Sequence, residues 1–230
     1  MEKKKKLYVG VIRFPGSNCD FDALNFFRRF GHSAEFIWYK NKTLPPCDLL
    51  VLPGGFAFGD RVYAKATGQY HIDPGALAIN SPILGALRKA AQANAPILGI
   101  CNGFQILVKA GLLPGALVQN KSKKFFCDYV TCKVTGSSFF NDLVMLNKTF
   151  IVPVAHGYGR YVIAKREQIA LEKNGQIFLK YEKLNPNGSV GSIAGVSNAQ
   201  KTIFGMMPHP ERSPDARYFM QAIETYVAKI

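Results

Sequence analysis

Nine residues, Pro96–Phe104, constrain the fold of this chain more than any other stretch. From Pro96 to Ile100 every residue is apolar or glycine, as in a strand that is buried on both faces of a parallel sheet. The apolar segment after Cys101 ends at Gly111, and glycine is a common residue just past the end of a helix. The sequence therefore predicts a strand, a sharp turn and a helix around Cys101.

The turn itself has the spacing of a nucleophile elbow. Gly99, Cys101 and Gly103 form a G-x-C-x-G motif, with cysteine where hydrolases carry serine. A nucleophile on such a turn has a strained backbone, and its neighbours must be small. A cysteine there would also precede a helix, whose dipole favours the thiolate. The alternative is a buried structural cysteine, because G-x-C-x-G also occurs by chance.

The remaining apolar runs predict an α/β fold, with a mostly parallel, doubly wound sheet flanked by helices. Beyond Gly115 the strands alternate or are β-branched, which predicts a smaller antiparallel section packed beside the parallel sheet. Strands are predicted at Leu7–Phe14, Ser33–Trp38, Asp48–Leu52, Phe125–Val134, Lys148–Ala155, Gln176–Tyr181, Ile193–Val196 and Ile203–Met206, and helices at Asp20–Phe30, Ser81–Ala93 and Pro214–Ile230.

Length and composition predict one cytoplasmic domain spanning residues 1–230. No apolar run approaches the ~18 residues that cross a membrane, and the N-terminus has no signal-peptide pattern. The five cysteines lack paired CxxC spacing, so reduced thiols are expected and Cys127 with Cys132 predicts no metal site. The long segment Phe56–Asn80 is expected to be a functional lid or an interface element.

A net charge of +14 leaves three explanations open: a solvated basic surface, an acidic partner or an anionic substrate, and nucleic acid. The basic residues are mostly dispersed, and no aromatic-and-basic recognition motif accompanies them. This pattern therefore favours the first two explanations over nucleic-acid binding.

A cysteine nucleophile needs a base, which is usually histidine. His156 and His209 each follow a predicted strand, where sites on α/β sheets form, and spacing alone does not choose between them. His209 stands between two prolines, which favour an extended backbone. In an extended segment His209 and Glu211 would project together, so the carboxylate could orient the imidazole.

An oxyanion intermediate needs backbone N–H donors. Gly55, in Pro53-Gly-Gly55 after a predicted strand, offers one without side-chain obstruction. The amide of Asn102, directly after the cysteine, is the usual second donor on an elbow. An ordinary strand-ending turn is the alternative for the glycines.

Together these motifs resemble the class I glutamine amidotransferases, and more narrowly the glutaminase subunits of phosphoribosylformylglycinamidine synthase. The resemblance runs nearly end to end. It rests on Phe14-Pro-Gly-Ser-Asn-Cys-Asp20, Pro53-Gly-Gly-Phe-Ala-Phe-Gly-Asp60, Gly99-Ile-Cys-Asn-Gly-Phe-Gln105, Pro153-Val-Ala-His-Gly157, Asn185-Pro-Asn-Gly-Ser189, Ile193-Ala-Gly195 and Gly205-Met-Met-Pro-His-Pro-Glu211.

The resemblance implies a set of site residues. Cys101 would be the nucleophile, His209 the base and acid, and Glu211 the group that orients His209. Gly55 and Asn102 would supply the oxyanion donors, and Gln105 would contact the bound L-glutamine. His156 would then be an interface or structural residue.

The resemblance also implies partners. A formylglycinamidine ribonucleotide synthetase subunit would use the ammonia, with ATP and Mg²⁺ on that subunit and no cofactor in this chain. A small third subunit would complete the complex. This chain itself carries no G-x-x-x-x-G-K-[ST] phosphate-binding loop.

Two features depart from the family pattern. Extra residues lie around Lys65–Gly75, and Tyr158 stands where the His-Gly-x-Gly stretch usually has glutamate. Both lie outside the implied catalytic set, so they bear on partner contacts rather than on the chemistry.

Overall fold

The computed structural model describes residues 5–64, 69–135 and 148–230. Its helices are α1 Asp20–Arg29, α2 Pro82–Gln92, α3 Asn102–Lys109, α4 Lys165–Lys173 and α5 Ala216–Val227. Its strands are β1 Tyr8–Arg13, β2 Ser33–Trp38, β3 Leu49–Leu52, β4 Arg61–Ala64, β5 Gln69–Ile72, β6 Ile97–Ile100, β7 Ala116–Val118, β8 Phe126–Val134, β9 Thr149–His156, β10 Arg160–Val162, β11 Ile177–Tyr181, β12 Ile193–Ser197 and β13 Ile203–Met206.

One sheet of nine strands organises the molecule, in the order β2-β1-β3-β6-β13-β12-β11-β8-β9. The first five strands in this order are parallel, which confirms the predicted doubly wound α/β half. The other four pair antiparallel. The expected antiparallel section is therefore a continuation of the same sheet across the β13–β12 pair, rather than a unit beside it.

The elbow strand β6 is an interior strand of the parallel half, between β3 and β13. All four residues of β6 are buried, as are those of β3 and β13, which accounts for their unbroken apolar sequences. Helix α3 packs against these same three strands. This packing fixes the first turn of α3 against the carboxyl ends of β3 and β6.

Four strands and one helix were not predicted. Strands β4 and β5 form a hairpin within the long segment Phe56–Asn80, and β7 pairs with β10. Residues 65–68, part of the stretch with extra residues, lie outside the described residues. Helix α4 was not predicted because it is mostly polar and buries only Gln168 and Leu171.

No helix in the described part of the chain is long and apolar enough to cross a membrane. All five cysteines are free thiols. Cys127 is exposed and Cys132 is fully buried on β8, and their odd separation places them on opposite faces of that strand. The two thiols therefore cannot converge on one metal ion.

Candidate active site

Cys101 stands on the strained turn that its motif predicts. It has φ 51° and ψ −105°, between the end of β6 and the first residue of α3. The flanking glycines are required by close approach rather than by their own dihedral angles. A Cβ on Gly103 would lie 2.0 Å from the carbonyl oxygen of Leu52, and one on Gly99 would lie 2.8 Å from the backbone of Gly103. The elbow thus depends on glycine at positions 99 and 103 and on the strained backbone of Cys101 between them.

His209 and Glu211 lie together, but not for the reason that the sequence suggested. The Nδ1 atom of His209 is 2.7 Å from Oε1 of Glu211, and both side chains are buried. Pro210–Arg212 forms a 3₁₀ turn rather than an extended segment, so the pairing comes from that turn. The backbone N–H of His209 donates to the carbonyl oxygen of Pro153 on β9, which anchors the loop to the sheet.

The pKa of His209 reflects two opposed effects. Burial alone would lower it, because it penalises the charged imidazolium. The charge of Glu211, with smaller contributions from Cys101 and Cys19, outweighs burial and raises the pKa well above its usual value. The imidazolium form is therefore stabilised beside the cysteine.

The side chains of Cys101 and His209 both lie close to Gly54, although the two residues are far apart in the sequence. A Cβ placed on Gly54 would lie 2.6 Å from Cε1 of His209 and 3.3 Å from Cβ of Cys101. The same position is 3.3 Å from Sγ of Cys19, the residue that precedes α1. Glycine at this position leaves the space in which the three side chains converge. The contact with Cys19 was not predicted, since nothing in local sequence links residue 19 to residue 209.

A cavity of about 340 Å³ opens beside the cysteine. Gly55 and Gln105, both predicted site residues, border it together with Cys101. Gln105 is held by two hydrogen bonds: its Oε1 accepts from Nδ2 of Asn102 at 2.9 Å, and its Nε2 donates to the carbonyl oxygen of Tyr158 at 2.7 Å. Since Tyr158 contributes its backbone to this bond, the departure from glutamate there leaves the contact intact.

The side chain of Asn102 has a role that the sequence did not indicate. Its Oδ1 accepts from the backbone N–H of Ala57 at 3.0 Å, and its Nδ2 also donates to Oδ2 of Asp60 at 3.1 Å. Asn102 therefore ties the elbow to the loop after Gly55. Burial raises the pKa of Asp60 to about 6, against the opposing effect of hydrogen bonds from Gly75 and Asn102.

His156 borders the same cavity, but only 3 % of its surface is exposed. Burial, together with the nearby His209, lowers its pKa to about 4, so it is neutral at pH 7. Its Nε2 lies 3.4 Å from Nδ2 of Asn187. This environment favours the structural over the interface interpretation of His156.

Within the described ranges, no three histidine, cysteine or acidic side chains lie close enough together to hold a metal ion. The cysteine, the histidine–glutamate pair and the backbone amides around them are instead the groups suited to acyl transfer. Such a set can form and break a covalent bond to a carbonyl carbon without a metal.

Comparisons with known proteins agree with this chemistry. A family model described as a CobB/CobQ-like glutamine amidotransferase domain matches residues 6–225. The phosphoribosylformylglycinamidine synthase subunit PurQ of Thermomicrobium roseum is 45% identical over 216 residues, covering 89% of this chain and 87% of that protein. The PurQ subunit of Aquifex aeolicus is 42% identical over 215 residues, covering 89% and 90%.

Solved structures extend the comparison. A chain of the PurLQS structure from Thermotoga maritima is 37% identical with a TM-score of 0.82, covering 97% of this chain and 100% of that one. A putative GMP synthase subunit from Thermoplasma acidophilum, at 16% identity and a TM-score of 0.66, covers 99% of this chain and 96% of its own and shares the fold. This chain belongs to the glutamine amidotransferases, in the family of the PurQ subunits of phosphoribosylformylglycinamidine synthase.

Proposed function

We propose that this chain is the glutaminase subunit of a phosphoribosylformylglycinamidine synthase in purine biosynthesis. It hydrolyses L-glutamine to glutamate and ammonia, and the ammonia converts formylglycinamide ribonucleotide to formylglycinamidine ribonucleotide on a partner. The observation that carries the proposal is the convergence of Cys101 and His209 at Gly54, with Glu211 paired to Nδ1 of the imidazole.

In the first half of the reaction, the proton of the Cys101 thiol already lies on His209, and the Cys101 thiolate attacks the carboxamide carbon of glutamine. The oxyanion that forms is stabilised by the backbone N–H groups of Gly55 and Asn102. His209 then protonates the departing nitrogen, so that ammonia leaves and a γ-glutamyl thioester remains. Glu211 keeps the imidazole in place and stabilises its charged form.

In the second half, water attacks the thioester. His209 takes a proton from that water, and the sulfur leaves as a thiolate, which releases glutamate and restores the thiolate–imidazolium pair. Gln105, fixed by its bonds to Asn102 and Tyr158, borders the cavity where the substrate would lie. Its role in this scheme is to contact the bound glutamine.

The ammonia must reach its acceptor without being protonated in bulk water. We therefore propose a closed complex with a synthetase subunit, which holds ATP and Mg²⁺, and a small third subunit. The absence of a phosphate-binding loop motif from this sequence agrees with that division of labour. The related Thermotoga maritima structure is one of PurLQS.

The test is amination by the reconstituted complex with two nitrogen donors. Cys101→Ala should abolish glutamine-dependent amination and leave ammonia-dependent amination intact. Cys127→Ala, which removes an exposed thiol on β8, is the matched control and should change neither. Glutamine-dependent turnover by the Cys101 variant would refute the assignment. A product other than formylglycinamidine ribonucleotide would identify a glutaminase for a different synthetase.

A further inference from the structure

Two side chains of opposite charge border the cavity beside Cys101, and the scheme above uses neither. Asp60 is 4 % exposed and follows the loop after Gly55, whereas Lys123 is exposed at the cavity margin, in the turn before β8. The backbone N–H of Lys123 donates to the carbonyl oxygen of Asn120, which fixes that turn. An anionic group and a cationic group thus lie around one cavity with the nucleophile.

Asp60 is held in place by an unusual backbone. Phe58, Gly59 and Asp60 have φ values of 56°, 73° and 50°, three successive left-handed residues of which two carry side chains. Such strain is costly and tends to occur at functional sites. It brings a carboxylate into a place where burial disfavours its charge.

Among the described residues, the hydrogen bonds of Asp60 leave part of its capacity to accept hydrogen bonds free. Its Oδ1 accepts from the backbone N–H of Gly75 at 3.0 Å, and its Oδ2 accepts from Asn102 at 3.1 Å. A carboxylate has about four acceptor positions, so each oxygen can accept a further donor. The nearby carboxylate of Asp73 is already paired with Lys109 at 2.6 Å and does not border the cavity.

We propose that Asp60 and Lys123 bind the amino-acid end of the glutamine substrate. The Asp60 carboxylate accepts hydrogen bonds from the substrate α-ammonium group, and the Lys123 ammonium group pairs with the substrate α-carboxylate. The inference rests on the proposed glutaminase function, because it takes glutamine as the molecule in the cavity. It assigns the selectivity for a free amino acid to two residues outside the Cys101, His209 and Glu211 set.

Charge complementarity supports this arrangement. Glutamine carries its reactive carboxamide at one end and a zwitterion at the other, and the carboxamide must lie at Cys101. The zwitterion then needs one partner of each sign, because an unpaired charge in a confined site is costly. Asp60 is buried and makes the stronger contact, whereas Lys123 is solvated and makes a weaker one.

The test compares glutamine with two truncated substrates in the reconstituted complex, with ammonia release as the readout. 4-Carbamoylbutanoate lacks the α-ammonium group, and 4-aminobutanamide lacks the α-carboxylate. The wild type should prefer glutamine over 4-carbamoylbutanoate by at least ~10-fold in kcat/KM, the lower range of a hydrogen bond between charged groups. Asp60→Asn and Asp60→Ser should reduce this preference by ~10- to 100-fold.

Lys123→Met should reduce the preference for glutamine over 4-aminobutanamide by about 2- to 5-fold, as expected for an exposed ion pair. The matched controls remove an equal charge nearby: Asp73→Asn for Asp60 and Lys124→Met for Lys123. Both controls should keep the wild-type preferences. A residue that only supports the fold would lower activity toward every substrate in the same proportion and leave the ratios unchanged.

Three results would overturn the inference. The first is a wild-type preference below ~10-fold for glutamine over 4-carbamoylbutanoate, which needs no variant. The second is an unchanged ratio in either Asp60 variant, both of which are checked for folding by thermal unfolding. The third is an equal loss of preference in a control. These three results are distinct from a failure of the proposed function. In that case the wild-type complex would release no ammonia from glutamine.

Discussion

Gly54→Ala should strongly reduce glutamine-dependent activity, because the added methyl group would displace His209 from its position beside Cys101. The added methyl carbon would lie 2.6 Å from Cε1 of His209, where an ordinary contact is at least 3.4 Å. His209 and Gly54 must therefore separate by roughly 0.8 Å. His209 has little room to move, because its side chain is buried and Glu211 holds it at 2.7 Å.

The predicted loss of activity follows from that displacement. A misplacement of ~1 Å between reacting groups can cost about 10²-fold in rate. The added carbon would also crowd Cys101, at 3.3 Å from its Cβ. We therefore expect kcat for glutamine-dependent amination to fall by roughly 10²-fold, with ammonia-dependent amination unchanged.

Gly85→Ala is the matched control. Gly85 lies inside α2, a Cβ there would meet nothing within 4 Å, and alanine in a helix should stabilise the protein by about 0.5–1 kcal/mol. Both variants are assayed in the reconstituted complex and checked by thermal unfolding. A folded Gly54→Ala variant with wild-type glutamine-dependent turnover would refute the convergence of Cys101 and His209 at Gly54.

Two further variants test the supports of the same site. Glu211→Gln should lower the pKa of His209, since only the smaller effects of Cys101 and Cys19 then oppose burial, and imidazole NMR measures this shift. The same change should reduce kcat in steady-state assays by ~10- to 100-fold, as expected for losing a buried charge-assisted hydrogen bond. The stabilisation from the raised His209 pKa is complete below 6.5 and is lost as pH rises through the raised value. The difference in unfolding free energy between wild type and Glu211→Gln should therefore narrow as the pH rises above 6.5, and a widening difference would contradict this. Gly103→Ala should lower the free energy of unfolding by about 1–3 kcal/mol in denaturant titration, because its Cβ would lie 2.0 Å from the Leu52 carbonyl oxygen. An unchanged free energy of unfolding would show that Gly103 and Leu52 are not packed this closely.

The parallel half of the fold could be predicted from sequence because its strands are short, apolar and bounded by clear breaks. The strands at Ser33–Trp38 and Ile203–Met206 have the predicted bounds. The elbow was predictable because the small neighbours that it requires, Gly99 and Gly103, lie within two residues of Cys101 in the sequence. Helix α4 was not, since a polar helix with two buried side chains has almost no apolar periodicity.

The candidate site was predictable only in part. The G-x-C-x-G spacing singled out Cys101, but spacing alone did not choose between His156 and His209. The surroundings of His209 favoured it, and the family resemblance decided between the two. The pairing of His209 with Glu211 was expected from the wrong backbone conformation, because Pro210 begins a 3₁₀ turn. The contacts of Cys19 and Asp60 were missed because loops bring them to the site from distant parts of the chain.

The central claim is that Cys101 forms a covalent bond to the glutamyl group of the substrate. Mass spectrometry of the wild-type chain after treatment with a glutamine-like electrophile, with and without the synthetase, tests it directly. The account predicts one glutamyl-derived adduct, located on Cys101 and lost in Cys101→Ala, with L-glutamine protecting against labelling. Labelling confined to another cysteine, or labelling of Cys101 that glutamine does not reduce, would contradict it.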